Sequence, residues 1–506
     1  MPRATLFVFG DQLSAEVATF ARDRSANLRV LMIDAHHLRQ ASRHPLRRAL
    51  YGLAMRAYAD ELREAQVEVD FRSASSFSEG LREHLEEFLP ERVLVHQPRG
   101  RRAERWCRDS GLEILPDPFF LTDPDWFSDL VARYPRVTLE TFYRHQRRRL
   151  DFLMEGSEPS GGRWNFDQEN RQPLPRDGGA WPEPWRQPLD DGERRWLAEE
   201  GLAHLAPALE YWPRTREHAL HQLDDALERI VPFFGPYEDA ASSFNWHLAH
   251  SRLSVALNLG LLHPREVAEG VETHYRAGRL PLASAEGFMR QVIGWREWVA
   301  AWHRRRPASY RRSNALEATR ALPASWRQLD EHPMACLNAV FAHVREFGWA
   351  HHIERLMVLT NAATLAGYDP VSVNDWMAHS FLDGAEWVME ANVIGMGLFA
   401  DGGVTATKPY VAGGNYLSTM TDFCRGCVFS PKERTGSRAC PLTTLYWQFF
   451  VDQADVLTTV HRVAPIRRAA LARADLPEIA ARAPEARRLV AGEEASGPPS
   501  LSDATG

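Results

Sequence analysis

Three of the five cysteines in this 506-residue chain crowd into residues 422–441, DFCRGCVFSPKERTGSRACP. Cys424 and Cys427 are spaced C-x-x-C, which lets two thiolates reach one metal. Cys440 follows thirteen positions later with Pro441 behind it, and Cys336 lies 88 positions before Cys424. Four thiolates suit a [4Fe–4S] cluster, where a closing Cys-Pro step is familiar, or a structural zinc, which more often uses two short C-x-x-C pairs. Spacing also leaves open a metal-free group of thiols. Cys107, within RRAERWCRD, has no obvious partner and reads as a half-buried thiol.

Other groups could handle an anion or a proton. Residues 250–260, HSRLSVALNLG, set Ser251 and Ser254 around Arg252 and Leu253 at the start of an apolar helical pattern. Hydroxyls and unpaired N–H groups there can seat a phosphate or simply cap the helix. Tyr237, in GPYEDA, carries the same ambiguity. Residues 286–298, EGFMRQVIGWREW, embed Arg290, Gln291, Arg296 and Glu297 among aromatics, as internal pairs or as the wall of a site for a polar, planar ligand. In AHHIERLM, His352 and Arg355 share a helical face, whereas adjacent His351 and His352 project about 100° apart and form no chelating pair. Each histidine is either a satisfied structural group or an acid–base group.

Positioning these residues takes more than one hydrophobic core at this length. Short apolar runs at 4–9, 28–33, 67–71, 92–96 and 114–115, with a helical pattern over 47–65, predict an α/β domain with a doubly wound parallel sheet over residues 1–130. Such a sheet takes ligands beyond the C-terminal ends of its strands, but no G-x-G-x-x-G follows the first strand, so no dinucleotide site is expected there. Residues 131–213 form an interdomain connection that turns Gly/Pro/Trp/Arg-rich, with GGRWNFDQENR too aromatic for a bare linker. Residues 214–463 read as a large all-α domain and hold most of the chemistry above. Residues 464–506 read as a C-terminal tail closing in GEEASGPPSLSDATG, where disorder is expected.

The net charge of -7 gives no global attraction to nucleic acid, so DNA contact needs a local patch. Arg99, Arg101, Arg102 and Arg105 are one candidate, Arg144, Arg147, Arg148 and Arg149 a second, and Arg304, Arg305, Arg306, Arg311 and Arg312 a third; each also reads as a solvated face. With no long apolar run and no signal peptide, no membrane association and a cytoplasmic protein are expected. Few cysteines, gathered at one place, agree with a reducing compartment.

Together FGDQLS (9–14), RWNFDQENR (163–171), HSRLSVALNLG, EGFMRQVIGWRE, WAHHIERLM (349–357), NVIGMGLFADGG (392–403), TKPY (407–410) and the four cysteines resemble the photolyase and cryptochrome superfamily. The likeness is to its iron–sulfur bacterial branch of prokaryotic (6-4) photolyases and cryptochromes. It implies an N-terminal α/β antenna domain, a helical domain holding FAD in a bent form, and a [4Fe–4S] cluster on Cys336, Cys424, Cys427 and Cys440. By position it implies Ser251, Leu253 and Ser254 at the FAD pyrophosphate with Tyr237 near it, Gln291, Arg296 and Asp383 facing the flavin or its ribityl chain, and Met389 and Asn392 at the flavin. Met389 stands where the family usually carries a polar or acidic residue near flavin N5. His352 falls where (6-4) enzymes place the histidine that moves a proton on the lesion. Trp376 would feed electrons to the flavin; the family's adjacent ring is replaced by Met377, and Trp326 is a displaced candidate for the next relay. A ribityl-lumazine antenna is also implied, although residues 34–48 depart from the family's basic, acid-flanked pattern.

The implied activity is blue-light-driven electron transfer from reduced FAD to a pyrimidine (6-4) photoproduct flipped out of UV-damaged DNA, performed by a monomer. The alternative is a non-repairing photoreceptor that signals to a protein partner. Without the resemblance, the residues also allow a zinc-stabilised helical nucleic-acid-binding protein with no flavin.

Overall fold

Ala4–Val8 (β1) carries apolar side chains on both faces, which suits only the middle of a sheet covered on both sides. The computed structural model, which describes residues 3–36 and 43–493, puts it there. Leu28–Ala35 (β2), Glu68–Ala74 (β3), Arg92–His96 (β4) and Glu113–Leu115 (β5) complete a five-stranded sheet of order β3-β2-β1-β4-β5, parallel throughout. Leu6 and Val8 pack with Ala15–Arg22 (α1) and Pro45–Glu64 (α2), in a core continuous with the helical domain. Phe7 and Phe9 pack on the other face with Phe77–Phe88 (α3) and Arg101–Asp109 (α4).

The place where such a sheet takes a ligand is filled by the protein itself. Gln12 donates from Nε2 to the His96 carbonyl (3.0 Å) and accepts from the Phe9 N–H (3.3 Å), tying the ends of β1 and β4 together. Beyond them the Leu13 N–H donates to Leu259 O (2.9 Å), and buried Arg99 donates to Asn258 O (2.8 Å). The α/β domain thereby clamps the last turn of the helix Ser254–Leu259. Gly260 ends that helix at φ +93°, and a Cβ there would meet the Leu13 nitrogen at 3.1 Å, so both conformation and approach call for glycine.

The connection is packed rather than loose. Asp190 and Glu193 form a capping box at the helix Asp191–Glu199, whose Trp196 lies over Gly52 of α2; a Cβ there would stand 2.3 Å from the ring. Buried Arg214 gives Nε to Glu193 (2.5 Å) and its other nitrogens to four backbone carbonyls. In GGRWNFDQENR, Asp167 pairs with Arg290 and buried Asn170 donates to Ala283 O (3.1 Å), fastening the stretch to the helix Leu282–Met289.

The remainder is helical, as expected, and includes wide π-helical turns at Arg290–Trp295, Glu354–Thr360 and Glu390–Gly397. These carry Gln291, Arg355 and Asn392, in keeping with the frequent use of such turns at functional sites. Residues 464–490 hold two helices, Ala464–Leu471 and Leu476–Val490; the second buries Ala483, Ala486, Leu489 and Val490 in the C-terminal core. The disorder expected of the terminal stretch concerns residues 494–506, which lie outside the described residues, as do 37–42 of the segment expected to bear on an antenna. No helix among the described residues is long and apolar enough to cross a membrane.

Candidate functional site

Ser251, Leu253, Ser254, Gln291, Arg296 and Asp383 line one cavity of about 220 Å³ that opens to solvent. Its wall is largely apolar, with Leu257, Val267, Phe288 and Val292 among the lining. Asp383 is the hub of the polar side. Its carboxylate is paired with Arg355 at 2.9 Å and accepts from Ser254 Oγ at 2.7 Å, while its backbone carbonyl accepts from Asn258 Nδ2 at 2.9 Å. Trp349 Nε1 donates in turn to Ser254 Oγ (3.2 Å). Ser254 is therefore not a helix cap: the helix begins after Leu253 with no side-chain cap, so its first N–H groups are left for another acceptor.

Arg296, also in the lining, is buried. Its Nη1 donates to Glu297 (2.9 Å) and Phe119 O (3.3 Å), yet Nε and Nη2 have no partner, and neither does Nε1 of Trp387. Burial pushes the Arg296 guanidinium down to about 10. Orphaned buried donors beside a cavity fit a ligand rich in acceptors. The charged residues of EGFMRQVIGWREW thus divide: Arg290 is used internally with Asp167 and Glu286, Glu297 accepts the Leu121 and Thr122 N–H groups at 2.8 Å each, and Gln291 and Arg296 line the cavity.

Three expected cofactor residues are not in its lining. Tyr237 sets its ring edge-on to Trp181 at 5.0 Å. Asn392 accepts from Trp295 Nε1 (2.8 Å) and so steadies a ring that does line the cavity. Met389 is buried in the C-terminal core. In their place come Asn258, Trp295, Arg355 and Trp387. No spacing links these four; Arg355, which the helical repeat pairs with His352, turns instead to Asp383 and to Ala350 O (2.6 Å).

His352 stands apart from that cavity with its side chain 46% exposed and Nε2 3.8 Å from Asp239 Oδ1. Burial would raise the Asp239 carboxyl, but His352 and Arg171 together hold it below its usual range. Buried His351 stacks on His250 with centroids 4.0 Å apart and planes 8° from parallel. Burial holds His250 down to about 3 and His351 well below its usual value, so both are uncharged. One nitrogen from each of His250, His351 and His352 lies within 4.8 Å of the others. An ion in the plane of one stacked ring cannot lie in the plane of the other, so this is not a chelating set. Beside it, burial pushes Glu238 up to about 7.

The four cysteines meet. Cys336 sits in the first turn of Ala335–Phe347, Cys440 immediately before Pro441–Asp452, and Cys424 and Cys427 in a turn closed from Cys427 N–H to Cys424 O at 3.3 Å. All line one small cavity with Phe423, Phe429 and Leu442. A Cβ on Gly414 would stand 2.9 Å from Cys440 Sγ, so glycine there lets the backbone come close. Burial, then the neighbouring thiols, raise Cys336 and push Cys424 up to about 12. Four thiolates so placed need a cationic centre to hold their protons off. Cys107 is fully buried in α4, away from this group, and burial pushes it up to about 12.

Trp376 and fully buried Trp326 lie in ring contact, centroids 5.5 Å apart, with Tyr368 5.4 Å beyond Trp326. The arginine clusters divide: Arg99, Arg147 and Arg306 are buried, Arg101, Arg144 and Arg311 partly so, and Arg102, Arg105, Arg148, Arg149, Arg304, Arg305 and Arg312 are exposed, as a solvated face would be. Arg147 is buried against the carbonyls of Phe152 and Leu153, Arg101 pairs with Glu390 (2.7 Å), Arg304 with Asp117 and Arg311 with Asp375.

Comparison with known proteins bears on this arrangement. The family described as deoxyribodipyrimidine photo-lyase-related protein matches residues 6–198. The chain is 35% identical over 480 residues to a (6-4) photolyase of Agrobacterium fabrum, covering 91% of this chain and 94% of that one. In fold it is similar to a class III photolyase of Agrobacterium tumefaciens, with TM-score 0.55 and 15% identity over 98% of this chain and 93% of that one. It is similar also to a cryptochrome of Synechocystis, with TM-score 0.57 and 12% identity over 93% and 99%.

Proposed function

The chain belongs to the photolyase and cryptochrome family, and from that premise we propose that it repairs pyrimidine (6-4) photoproducts in DNA by blue-light-driven electron transfer. In this reading FAD occupies the cavity around Asp383 and a [4Fe–4S] cluster joins Cys336, Cys424, Cys427 and Cys440. The observation that carries it is the polar lining of that cavity: the Ser254–Asp383–Arg355 network and the unpartnered donors of Arg296 and Trp387 share one largely apolar space.

Reduced FAD, when bound, supplies an electron to the lesion on excitation and takes it back after the bond rearranges. The protein's residues do the rest. The Ser251 hydroxyl and the uncapped first N–H groups of the helix that starts at Ser254 are offered to the pyrophosphate, while the Ser254 hydroxyl stays on Asp383. Arg296, Gln291 and Trp387 offer donors to the flavin and its ribityl chain, and Asp383 fixes the Arg355 guanidinium. His352, with Asp239 beside it, passes a proton to the lesion and recovers it. Trp376 and Trp326 pass electrons inward to restore the reduced flavin. The cluster braces Cys336 against the C-terminal region.

A second reading, a photoreceptor that does not repair, draws on Met389 and Met377. Both are buried thioethers where the family usually carries a polar or acidic group and a ring, and a thioether donates no proton. The test is to irradiate the photoreduced protein with an oligonucleotide holding one (6-4) lesion. Recovery of normal thymines is expected, and His352→Ala should keep its flavin but lose that recovery. No recovery despite full photoreduction would reject repair and leave the receptor.

A further inference from the structure

Phe244 is 92% exposed, against 42% for Phe233, the next most exposed phenylalanine among the described residues. The loop that carries it is anchored on both sides. Ala240 and Ala241 are buried; Ser242 Oγ donates to one oxygen of Asp422 (2.6 Å) and the Ser243 N–H to the other (2.7 Å). Ser242 Oγ also accepts from the Phe244 N–H (3.1 Å), and Asn245 Oδ1 accepts from the N–H groups of His247 (3.1 Å) and Leu248 (2.8 Å). Trp246 then stacks on Phe347 with centroids 4.1 Å apart and planes 9° from parallel. Only the tip, Ser243 and Phe244, projects from this frame, so the ring is held out in water by a loop with little freedom left to lose on binding.

Its location narrows what it meets. The loop leaves Asp239 and returns to His250, and both flank His352, at 3.8 Å and at 5.3 Å between ring centroids. Cations lie along that edge, among the carboxylates of Asp167 and Asp239. Arg425, three residues past Asp422, reaches Arg176 O at 3.0 Å, and Arg171 lies near Asp239. Burial, with Arg462 and Arg171 nearby, holds the Lys408 ammonium below its usual range. A bare aromatic ring amid cations, next to the histidine assigned to the lesion, matches nucleic acid: phosphates meet the charges and a base meets the ring.

We infer that Phe244 is a wedge that enters the duplex and stacks on the bases left without neighbours when a damaged dinucleotide swings out toward His352. Any base offers a π-face, so the ring needs no sequence, and a wedge offsets the stacking that flipping breaks. This rests on the repair reading above, and the experiment separates the two. Binding of the full chain, and of Phe244→Ala and Phe244→Trp, is measured on a duplex with one (6-4) lesion, the same strand alone, and the undamaged duplex. Phe244→Ala should weaken the lesion duplex about tenfold and the single strand less than about twofold, with Phe244→Trp near the parent. Equal binding of the lesion duplex by parent and Phe244→Ala, or equal weakening of duplex and single strand, would overturn the wedge alone. A parent chain with no preference for the lesion duplex over the undamaged one would overturn the repair reading, and the wedge with it.

Discussion

Glu238→Gln tests how strongly the interior beside His352 opposes charge. Glu238 is 6% exposed and its Oε2 has no hydrogen-bond partner. Burial pushes its carboxyl from 4.5 up to about 7; Asp239 and Asp167 push the same way, against Arg290 and His352. The folded chain therefore keeps a proton that the unfolded chain releases. Below pH 4.5 both states are protonated and nothing is lost; between 4.5 and about 7 stability falls with rising pH; above about 7 the loss is complete and constant. At about 1.4 kcal/mol per pH unit the loss reaches roughly 3 kcal/mol. Glutamine cannot ionise, so the variant should match the parent below pH 4.5 and exceed it by up to about 3 kcal/mol at pH 8. For a chain of this size, with an unfolding entropy of about 1 kcal/mol/K, that is about 3 °C in Tm. Thermal melts followed by circular dichroism from pH 4 to 8 measure it. Parent and variant curves that stay parallel across the interval would refute a buried, proton-holding Glu238.

Other outcomes follow from single contacts. Asp383→Asn leaves the mostly buried Arg355 guanidinium without its countercharge and should cost about 3 kcal/mol, together with flavin retention, read by Tm and flavin absorbance. Cys336→Ser should lose iron and fold poorly before any photochemical effect; a stable, flavin-loaded, iron-free variant would sink the bracing role. Trp326→Phe keeps the ring packing against Trp376 but removes the more easily oxidised indole, so photoreduction should slow at least about tenfold with flavin content unchanged. Gly52→Ala drives a methyl into the Trp196 ring and should cost about 1–3 kcal/mol in thermal stability without changing the cavity around Asp383.

Legibility in the sequence followed the range of the signal. Strands of the sheet were readable because β1, β2 and β4 are short runs buried on both faces, and their local composition says so. The meeting of four cysteines was readable because few side chains of that type occur and three lie close in sequence. Ser251, Ser254, Gln291 and Arg296, from HSRLSVALNLG and EGFMRQVIGWREW, and Asp383, from the family resemblance, also converge on one cavity. Asp383 as the counterion of Arg355 was not legible: the two are 28 residues apart on different elements, and the helical repeat pointed Arg355 at His352. Tyr237, Met389 and Asn392, placed at the flavin by the resemblance, lie outside the cavity's lining: Tyr237 turns to Trp181, Met389 into the C-terminal core, and Asn392 to Trp295.

Sequence by itself determined the class of fold, the grouping of the thiols and the motifs that share a cavity, since each rests on local pattern or rare residue types. Tertiary structure alone decided which charges are spent internally and which are left free. Arg99, Arg147 and Arg306 look like surface cations in the chain and are buried in the fold, while Phe244 looks like core and stands in water. The physical reason is common to both. Whether a guanidinium is buried depends on carbonyls and carboxylates brought from distant segments, and whether a ring is exposed depends on how the loop beneath it is anchored; neither is written in the residues next to it.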